Sequence, residues 1–542
     1  MTLVNFGFII DNRRCIGCHA CTVACKSEHD VPVGVNRTWV KYIEKGQFPD
    51  SRRHFSVMRC NHCDNAPCVE ICPVTALFRR SDGIVDFDNR RCIGCKACMQ
   101  ACPYDALYID PQTHTAAKCN YCAHRVDVGL EPACVNVCPT QAIVSGDLND
   151  PESRIAKLLQ EQDATARKTE KGTLPALYYI DGQPESLDPM ATAPAMQSMW
   201  GQQSSGVGHF AEDSSSSSEH ALEKLGRLLS FGESSTTLNT DDQSSKAAQL
   251  VESMAQEPRR AYDAPQKGVL WGWQVSGYLW TKSIAAGVII ATMLAKAYSA
   301  ELVSKSTECF ATIVALVFLG LTGGLLVWDL DKPMRFLYVL LRPQWSSWLV
   351  RGAYIITAYS LVLMLNLVLL MFAPDSALHR ALPIPLIGLG LMAAVYTAFL
   401  FAQAKGRTFW QSRTVPLNMV THAVLCGAAF MMLFYATWLG DFVNFTKYLV
   451  ILTAAIHLIV TLLEVVMPHK NQEVQAVMRS IISGRYSRLF WIVGLALGTV
   501  LPLVLLTLLP NFILVPAALL ILFGVFAAQH IWVRAPQQIP LS

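Results

Sequence analysis

The hydrophobic rhythm of the chain changes twice. Residues 1 to about 190 carry short apolar stretches broken by charge, cysteine and turn residues, so helices and strands there are expected to be brief. From 191 to 265 the chain is rich in Ser, Gln, Glu and Asp and includes the run Ser214–Ser218. Such a stretch buries too little apolar surface to offset the entropy of ordering, and it reads as a flexible linker. Within it, His220–Phe231 (HALEKLGRLLSF) has the pattern of a short amphipathic helix. From Val269 onward, long apolar runs follow one another, punctuated by Pro, Gly and charge. Eight have spanning length: near 270–299, 308–328, 350–373, 382–404, 415–439, 446–466, 489–509 and 511–533. Each is close to the ~20 residues that cross ~30 Å of hydrocarbon. A soluble helical core is excluded, because these runs leave no polar face for water.

Composition strengthens this division. The 542 residues are 52% hydrophobic and only 16% charged, with a mean hydropathy of +0.31, whereas soluble domains carry about 25% charge. The net charge of +3 gives no case for a nucleic-acid partner. An even number of spans puts both ends of the membrane domain on one side. That side carries Lys332, Arg335, Arg342, Arg351, Lys405, Arg407, Arg413, Lys470, Arg479, Arg485, Arg488 and Arg534, against Lys296, Lys305, Arg380 and Lys447 opposite. The bias orients the amino-terminal domain to the cytoplasm. The opening MTLVNFGFIIDNRRC has too short an apolar stretch for a signal peptide, and no apolar region follows Arg13-Arg14. The expectation is a multi-pass protein of the inner (cytoplasmic) membrane.

Cysteine placement brings in the chemistry. Of 18 cysteines, all but Cys309 and Cys426 lie between Cys15 and Cys138, in four runs. They are Cys15-x2-Cys18-x2-Cys21-x3-Cys25, Cys60-x2-Cys63-x4-Cys68-x3-Cys72-Pro73, Cys92-x2-Cys95-x2-Cys98-x3-Cys102-Pro103 and Cys119-x2-Cys122-x11-Cys134-x3-Cys138-Pro139. DNRRCIGCHAC (Asp11–Cys21) recurs as DNRRCIGCKAC (Asp88–Cys98), an internal duplication. Three thiolates on a tight loop can hold three corners of an iron–sulfur cube, and the fourth, usually followed by Pro, is carried to a neighbouring cluster. Zinc usually takes two CxxC-type pairs and does not call for this crowding. The reading is an α+β duplicated bacterial-type ferredoxin domain (1–190), the linker (191–265), and an all-α polytopic membrane domain (266–542).

These runs closely resemble the four-cluster ferredoxin subunits of the molybdopterin oxidoreductase family, the type found with dimethyl sulfoxide, polysulfide and tetrathionate reductases. The resemblance implies four [4Fe-4S] clusters, with run one pairing with run four and run two with run three. Carried onto this chain, it gives Cys15, Cys18, Cys21 and Cys138 to one cluster, and Cys119, Cys122, Cys134 and Cys25 to a second. It gives Cys60, Cys63, Cys68 and Cys102 to a third, and Cys92, Cys95, Cys98 and Cys72 to the fourth. The first run departs from the pattern, with Lys26 in place of Pro after Cys25.

Leu270–Gly287 and Trp328–Tyr354 resemble the NrfD and polysulfide-reductase type of quinone-reactive membrane subunit. Ionisable residues at costly depths are the candidates for quinone binding and proton exchange: Lys282, His422, His457 and Glu464, with Arg335 in the Asp329–Asp331–Arg335 loop. The competing readings are snorkelling for Lys282, interhelical hydrogen bonding for the histidines, and a folded loop for Arg335. Trp271, Trp273, Trp328, Trp345 and Trp348 read as interfacial anchors. His422 and His457 fall at similar depths, which allows a bis-histidine haem b. The resemblance disfavours haem, since that membrane family is haem-free.

The combination implies a redox module that joins a membrane quinone or quinol to a separate molybdopterin catalytic subunit and has no catalytic residues of its own. One alternative is the iron–sulfur and haem b component of a hydrogenase- or formate-dehydrogenase-like complex. Others are an ion-translocating redox module and a membrane-tethered sensor.

Overall fold

The structure, a computed structural model, describes residues 4–46, 49–192, 258–264, 267–434, 442–508 and 513–542. His220–Phe231 and most of the Ser-rich stretch lie outside the described residues. The chain forms two compact units, one of residues 1–69, 76–270 and 540–542, the other of 70–75 and 271–539.

The first unit is α+β. Strand β1 (Phe6–Asp11) is flanked in a four-stranded sheet by β8 (Ile143–Asp147), antiparallel, and β10 (Leu177–Ile180), parallel; β9 (Ala164–Thr165) completes the sheet. Phe8, Ile9 and Ile10 are buried, so this sheet is covered on both faces. A second, antiparallel sheet has the order β11–β2–β3, with β2 at Thr38–Lys45, β3 at Arg52–Arg59 and β11 at Arg259–Tyr262. Two hairpins, β4–β5 (Leu77–Arg79, Val85–Phe87) and β6–β7 (Leu107–Ile109, Ala116–Lys118), complete the strands among the described residues.

Strand β11 corrects the reading of 191–265 as linker throughout. Its Arg-Arg start reads as solvated, yet Arg260 is buried in an ion pair with Asp263 at 3.0 Å, and the Trp39 indole N–H donates to Asp263 at 2.8 Å. A charged segment thus pairs with β2 because its charges are neutralised inside the fold.

Each cysteine run places its last two cysteines on or just after a short helix. These helices are α1 (Ala20–His29), α2 (Pro67–Ile71), α3 (Ala97–Ala101) and, with the intervening turn α4 (Ala123–Val126), α5 (Ala133–Asn136). A spacing of four puts two residues on one helix face, about 6 Å apart along the axis, so each run can offer one thiol to each of two neighbouring sites. Pro73, Pro103 and Pro139 stop their helices at once, because proline cannot continue the hydrogen-bond ladder. The chain then turns through a left-handed residue three places after the cysteine: Thr75, Asp105 and Gln141, with φ of 53°, 56° and 52°. Lys26 imposes no such stop. Helix α1 runs on to His29, and the Lys26 ammonium donates to the carbonyls of Pro32 and Val35.

Among the described residues, the second unit contains eight helices long and apolar enough to cross a membrane, at Trp273–Tyr298, Lys305–Trp328, Trp348–Phe372, Pro383–Gln403, Val415–Met432, Phe442–Val466, Leu489–Leu508 and Leu514–Gln538. The first span is the most buried and packs against the second, fourth, fifth and eighth. It is also the least apolar of the eight. Lipid tails give no hydrophobic drive for helices to associate, so small residues that allow close packing favour the central place. At the crossing of spans one and five, a Cβ on Gly287 would lie 1.7 Å from the Ala423 carbonyl oxygen, so only glycine fits.

Candidate functional site

The loops between the first two cysteines of each run share one backbone feature. The residue before the second cysteine is left-handed in all four: Gly17, His62, Gly94 and Tyr121, with φ of 70°, 44°, 72° and 62°. At His62 and Tyr121 a side chain accepts the left-handed strain of about 1–2 kcal/mol. Both rings are buried, and they pack edge-to-face at 5.4 Å. Such turns aim consecutive backbone N–H groups toward one point, the arrangement that suits an anionic centre.

Several of the thiols, from different runs, lie within one another's electrostatic reach. Burial raises the Cys15 thiol above its ordinary value, and Cys138 and Cys18 add to the rise. Cys25 is driven well upward by burial and then by Cys119 and Cys134. Cys63 is raised by burial and then by Cys60, Cys102 and Cys68. Cys102 is pushed to about 11 by burial, with Cys60 adding to it. These influences link Cys15 with Cys138, Cys25 with Cys119 and Cys134, and Cys63 with Cys102, and Cys60 also feels Cys119. In the third run Cys92 and Cys98 are buried and Cys95 is half-buried, and the Ala116 N–H donates to Cys92 Sγ at 3.4 Å. Cys72 is also buried. Buried thiols this reluctant to ionise become thiolates when a metal takes the proton's place. Soft thiolates in sets of four suit iron–sulfur clusters. Among the described residues, no three His, Cys, Asp or Glu side chains are gathered closely enough for a single metal ion.

Three charged or polar side chains reach this sulfur-rich interior. The Arg59 guanidinium donates to Cys134 Sγ at 3.2 Å, His29 Nε2 lies 3.1 Å from Cys122 Sγ, and Lys118 donates to the carbonyls of Val85 and Cys119. Burial, then the charges of Arg37 and His124, lower His29 to about 4, so its ring is neutral at physiological pH. None of these three is signalled by the cysteine spacing.

In the membrane unit the candidate residues form three separate groups. Lys282 does not snorkel: it is fully buried and donates to the Ala394 carbonyl at 3.0 Å and the Thr397 hydroxyl at 2.6 Å, with the Tyr396 ring 4.7 Å away. It turns inward because the first span is surrounded by other helices, which closes the route to the interface. His422 Nε2 and His457 Nδ1 are 3.3 Å apart, with ring centroids 4.8 Å apart. Two imidazoles on opposite faces of a haem iron, each about 2 Å from the metal, would need about 4 Å between nitrogens, so a haem between these rings would require them to part. Glu464 accepts from the Thr414 hydroxyl and from the Asn418 amide at 3.0 Å. Arg335 ends a short turn, Pro333–Arg335. Trp271 is not an interfacial anchor. It is buried, stacking on Trp410 at 5.5 Å and meeting Phe401 edge-on, because it too belongs to the enclosed first span's approach.

A fourth group escaped the sequence reading. Glu308, buried at the start of the second span, pairs with Lys296 at 2.6 Å and with His379 Nε2 at 3.3 Å. Deeper on the same helix face, the Thr312 hydroxyl accepts from the Asn366 amide at 3.1 Å. Lys296 and Lys282 share the first span, about 21 Å apart along its axis. No sequence signal links the three members of the trio, which come from different helices and meet only on folding.

Comparison with known proteins accounts for both units. Residues 14–77 and 52–148 each match a 4Fe-4S dicluster domain. A tetrathionate reductase subunit of Salmonella typhimurium is 49% identical over 180 residues, 32% of this chain and 72% of that protein. A polysulfide reductase component of Wolinella succinogenes is 43% identical over 180 residues, 32% of this chain and 93% of that protein. The thiosulfate reductase electron transfer subunit of Salmonella typhi is 44% identical over 171 residues, 31% of this chain and 88% of that protein. Residues 263–540, about half of the chain, match the family described as Polysulphide reductase, NrfD. The chain thus belongs to the NrfD family of membrane subunits and carries, in the same polypeptide, an iron–sulfur subunit of the kind found in tetrathionate and polysulfide reductases.

Proposed function

We propose that this chain is the electron-transfer and membrane-anchor subunit of a respiratory oxidoreductase, joining a membrane quinone or quinol to a separate molybdopterin catalytic subunit. The observation that carries the reading is the presence, in one polypeptide, of four complete cysteine ligand runs and an NrfD-family domain. The ligand sets are Cys15/Cys18/Cys21/Cys138, Cys25/Cys119/Cys122/Cys134, Cys60/Cys63/Cys68/Cys102 and Cys72/Cys92/Cys95/Cys98. When bound, four [4Fe-4S] clusters supply one-electron carriers. The chain's own work is to supply sixteen thiolates, to aim backbone N–H groups from the left-handed turns, and to keep water from most of the sulfurs.

In the membrane domain, Lys282 and the His422–His457 pair offer donors for the two carbonyl oxygens of a quinone, and Glu464 exchanges protons near the end of its span. Buried ionisable groups in a membrane are costly enough to mark function by default. Arg335 lies in a basic loop on the side shared with the amino-terminal domain, and the Lys/Arg bias of those loops supports a cytoplasmic domain in an inner-membrane protein. A catalytic partner is supported by the relatives' names, each of which describes one component of a reductase rather than a whole enzyme.

The test is purification of the intact complex from membranes, with metal, pterin and quinone analysis. The reading expects about sixteen iron atoms per chain, molybdenum in a co-purified large subunit, and bound quinone. A complex without molybdenum or pterin would remove the molybdopterin partner. Reporter fusions at both chain ends check the orientation.

One observation favours a second reading, ion translocation: the Lys296–Glu308–His379 trio, with its carboxylate buried, lies about half the length of the first span from Lys282. Proton uptake into proteoliposomes during turnover, absent in a non-translocating module, separates the two.

A further inference from the structure

Arg59 closes β3 immediately before the second cysteine run, and it is 1% exposed. A buried guanidinium normally finds a carboxylate, because an unpaired charge away from water is costly. Among the described residues Arg59 makes no ion pair with Asp or Glu. Its Nη1 donates to Cys134 Sγ at 3.2 Å, its Nη2 donates to the Thr38 hydroxyl at 3.2 Å, and it lies 4.5 Å over the Phe8 ring. Burial works against its charge, while Cys134, Cys119 and Cys21 together hold it charged. Its field is also felt at Cys25 and Cys122. The group that this cation touches is therefore a sulfur, Cys134 of one ligand set, and its field extends to the other three thiols of that set and to Cys21 of the companion set. In the same set, His29 Nε2 lies 3.1 Å from Cys122 Sγ.

The companion set from the same two runs is differently placed. Of its four thiols, Cys21 alone is buried; Cys15 and Cys138 are half-buried and Cys18 is exposed, so water screens them. Reduction adds one negative charge to the centre that four thiolates hold, taking one electron from the quinol or the catalytic partner. A fixed positive charge in a dry environment favours that reduced form, more so the less water intervenes.

We propose that Arg59 is a positioning and potential-setting residue for the centre at Cys25, Cys119, Cys122 and Cys134, making it the higher-potential member of the pair formed by runs one and four. The inference rests on the cluster assignment given under Proposed function.

The test is potentiometric EPR titration of the full chain in detergent, unaltered and as Arg59→Met, Arg59→Gln and Arg59→Lys. Cys122→Ser identifies which signal belongs to the centre. With the charge removed, that signal's midpoint is expected to fall by at least about 59 mV, tenfold in its one-electron equilibrium, while Arg59→Lys restores at least half of the loss. The Cys15-set signal is expected to move less. If Arg59→Met does not assemble its clusters, the Lys/Gln contrast decides, since Gln keeps a donor without the charge. Equal midpoints for Lys and Gln, or equal shifts of both centres, would overturn the proposal. An unaltered chain holding fewer than four clusters would instead overturn the assignment beneath it.

Discussion

The two units handle buried polarity in opposite ways. In the iron–sulfur unit the costly groups are chiefly thiols, brought together by turns and helices only a few residues long, beside the buried Arg59 and the Arg260–Asp263 pair. Their partners are neighbours in sequence or in the duplicated half. In the membrane unit the costly groups are lone side chains on long helices, and each finds its partner across a helix–helix contact: Lys282 with Thr397, His422 with His457, Glu308 with Lys296 and His379. The first arrangement is local and depends on metal for its final stability. The second is non-local and depends on helix packing alone. Removing metal and loosening the packing should therefore damage different halves of the molecule.

The largest expected effect is metal removal. Anaerobic chelation should unfold the iron–sulfur unit, because binding energy at such sites is folding energy. The helical signal of the eight spans should persist, and circular dichroism with limited proteolysis checks both. Next is Gly287→Ala, which sets a Cβ against the Ala423 carbonyl at 1.7 Å and must push spans one and five apart. A loss of about 2 kcal/mol or more is expected, read as a lower detergent-unfolding midpoint with iron content unchanged. Smaller is the histidine pair: a double-mutant cycle of His422→Ala and His457→Ala should give a coupling of about 0.6–1.7 kcal/mol. Additive single effects would mean that the contact is incidental. Smallest for stability is Glu308→Gln, within about 1 kcal/mol because a hydrogen-bonding group remains. It sharpens the comparison by its readout. Proton uptake per electron should drop if the trio moves protons and stay constant if it only ties helices together.

Legibility follows the same division. The four ligand runs could be read from spacing because x2 and x3 intervals are themselves geometric statements about turns and helices. The eight spans could be read because a helix that crosses lipid needs a near-continuous apolar run of about 20 residues. Strand β11 could not, because Arg259 and Arg260 look solvated until Asp263 and Trp39 are seen to enclose the second of them. The fate of Lys282 was equally hidden. Whether a lysine ten residues into a span snorkels or turns inward depends on whether its helix is central, and that is a property of the other seven. Arg59 and Glu308 were missed for the same reason. Each is defined by residues 12 to 75 positions away, and neither belongs to a repeated spacing.

Electron passage through this chain, between quinone and its sulfur-held centres, is the claim on which the rest depends. The most direct measurement reduces the intact chain in nanodiscs, adds an oxidised quinone anaerobically, and follows reoxidation of the clusters by stopped-flow absorbance in the unaltered protein, Lys282→Met and His422→Ala. Rapid reoxidation is expected, saturating with quinone and slowing at least tenfold in the variants while iron content stays constant. Reoxidation at the same rate in all three proteins, or none in any of them, would contradict the claim.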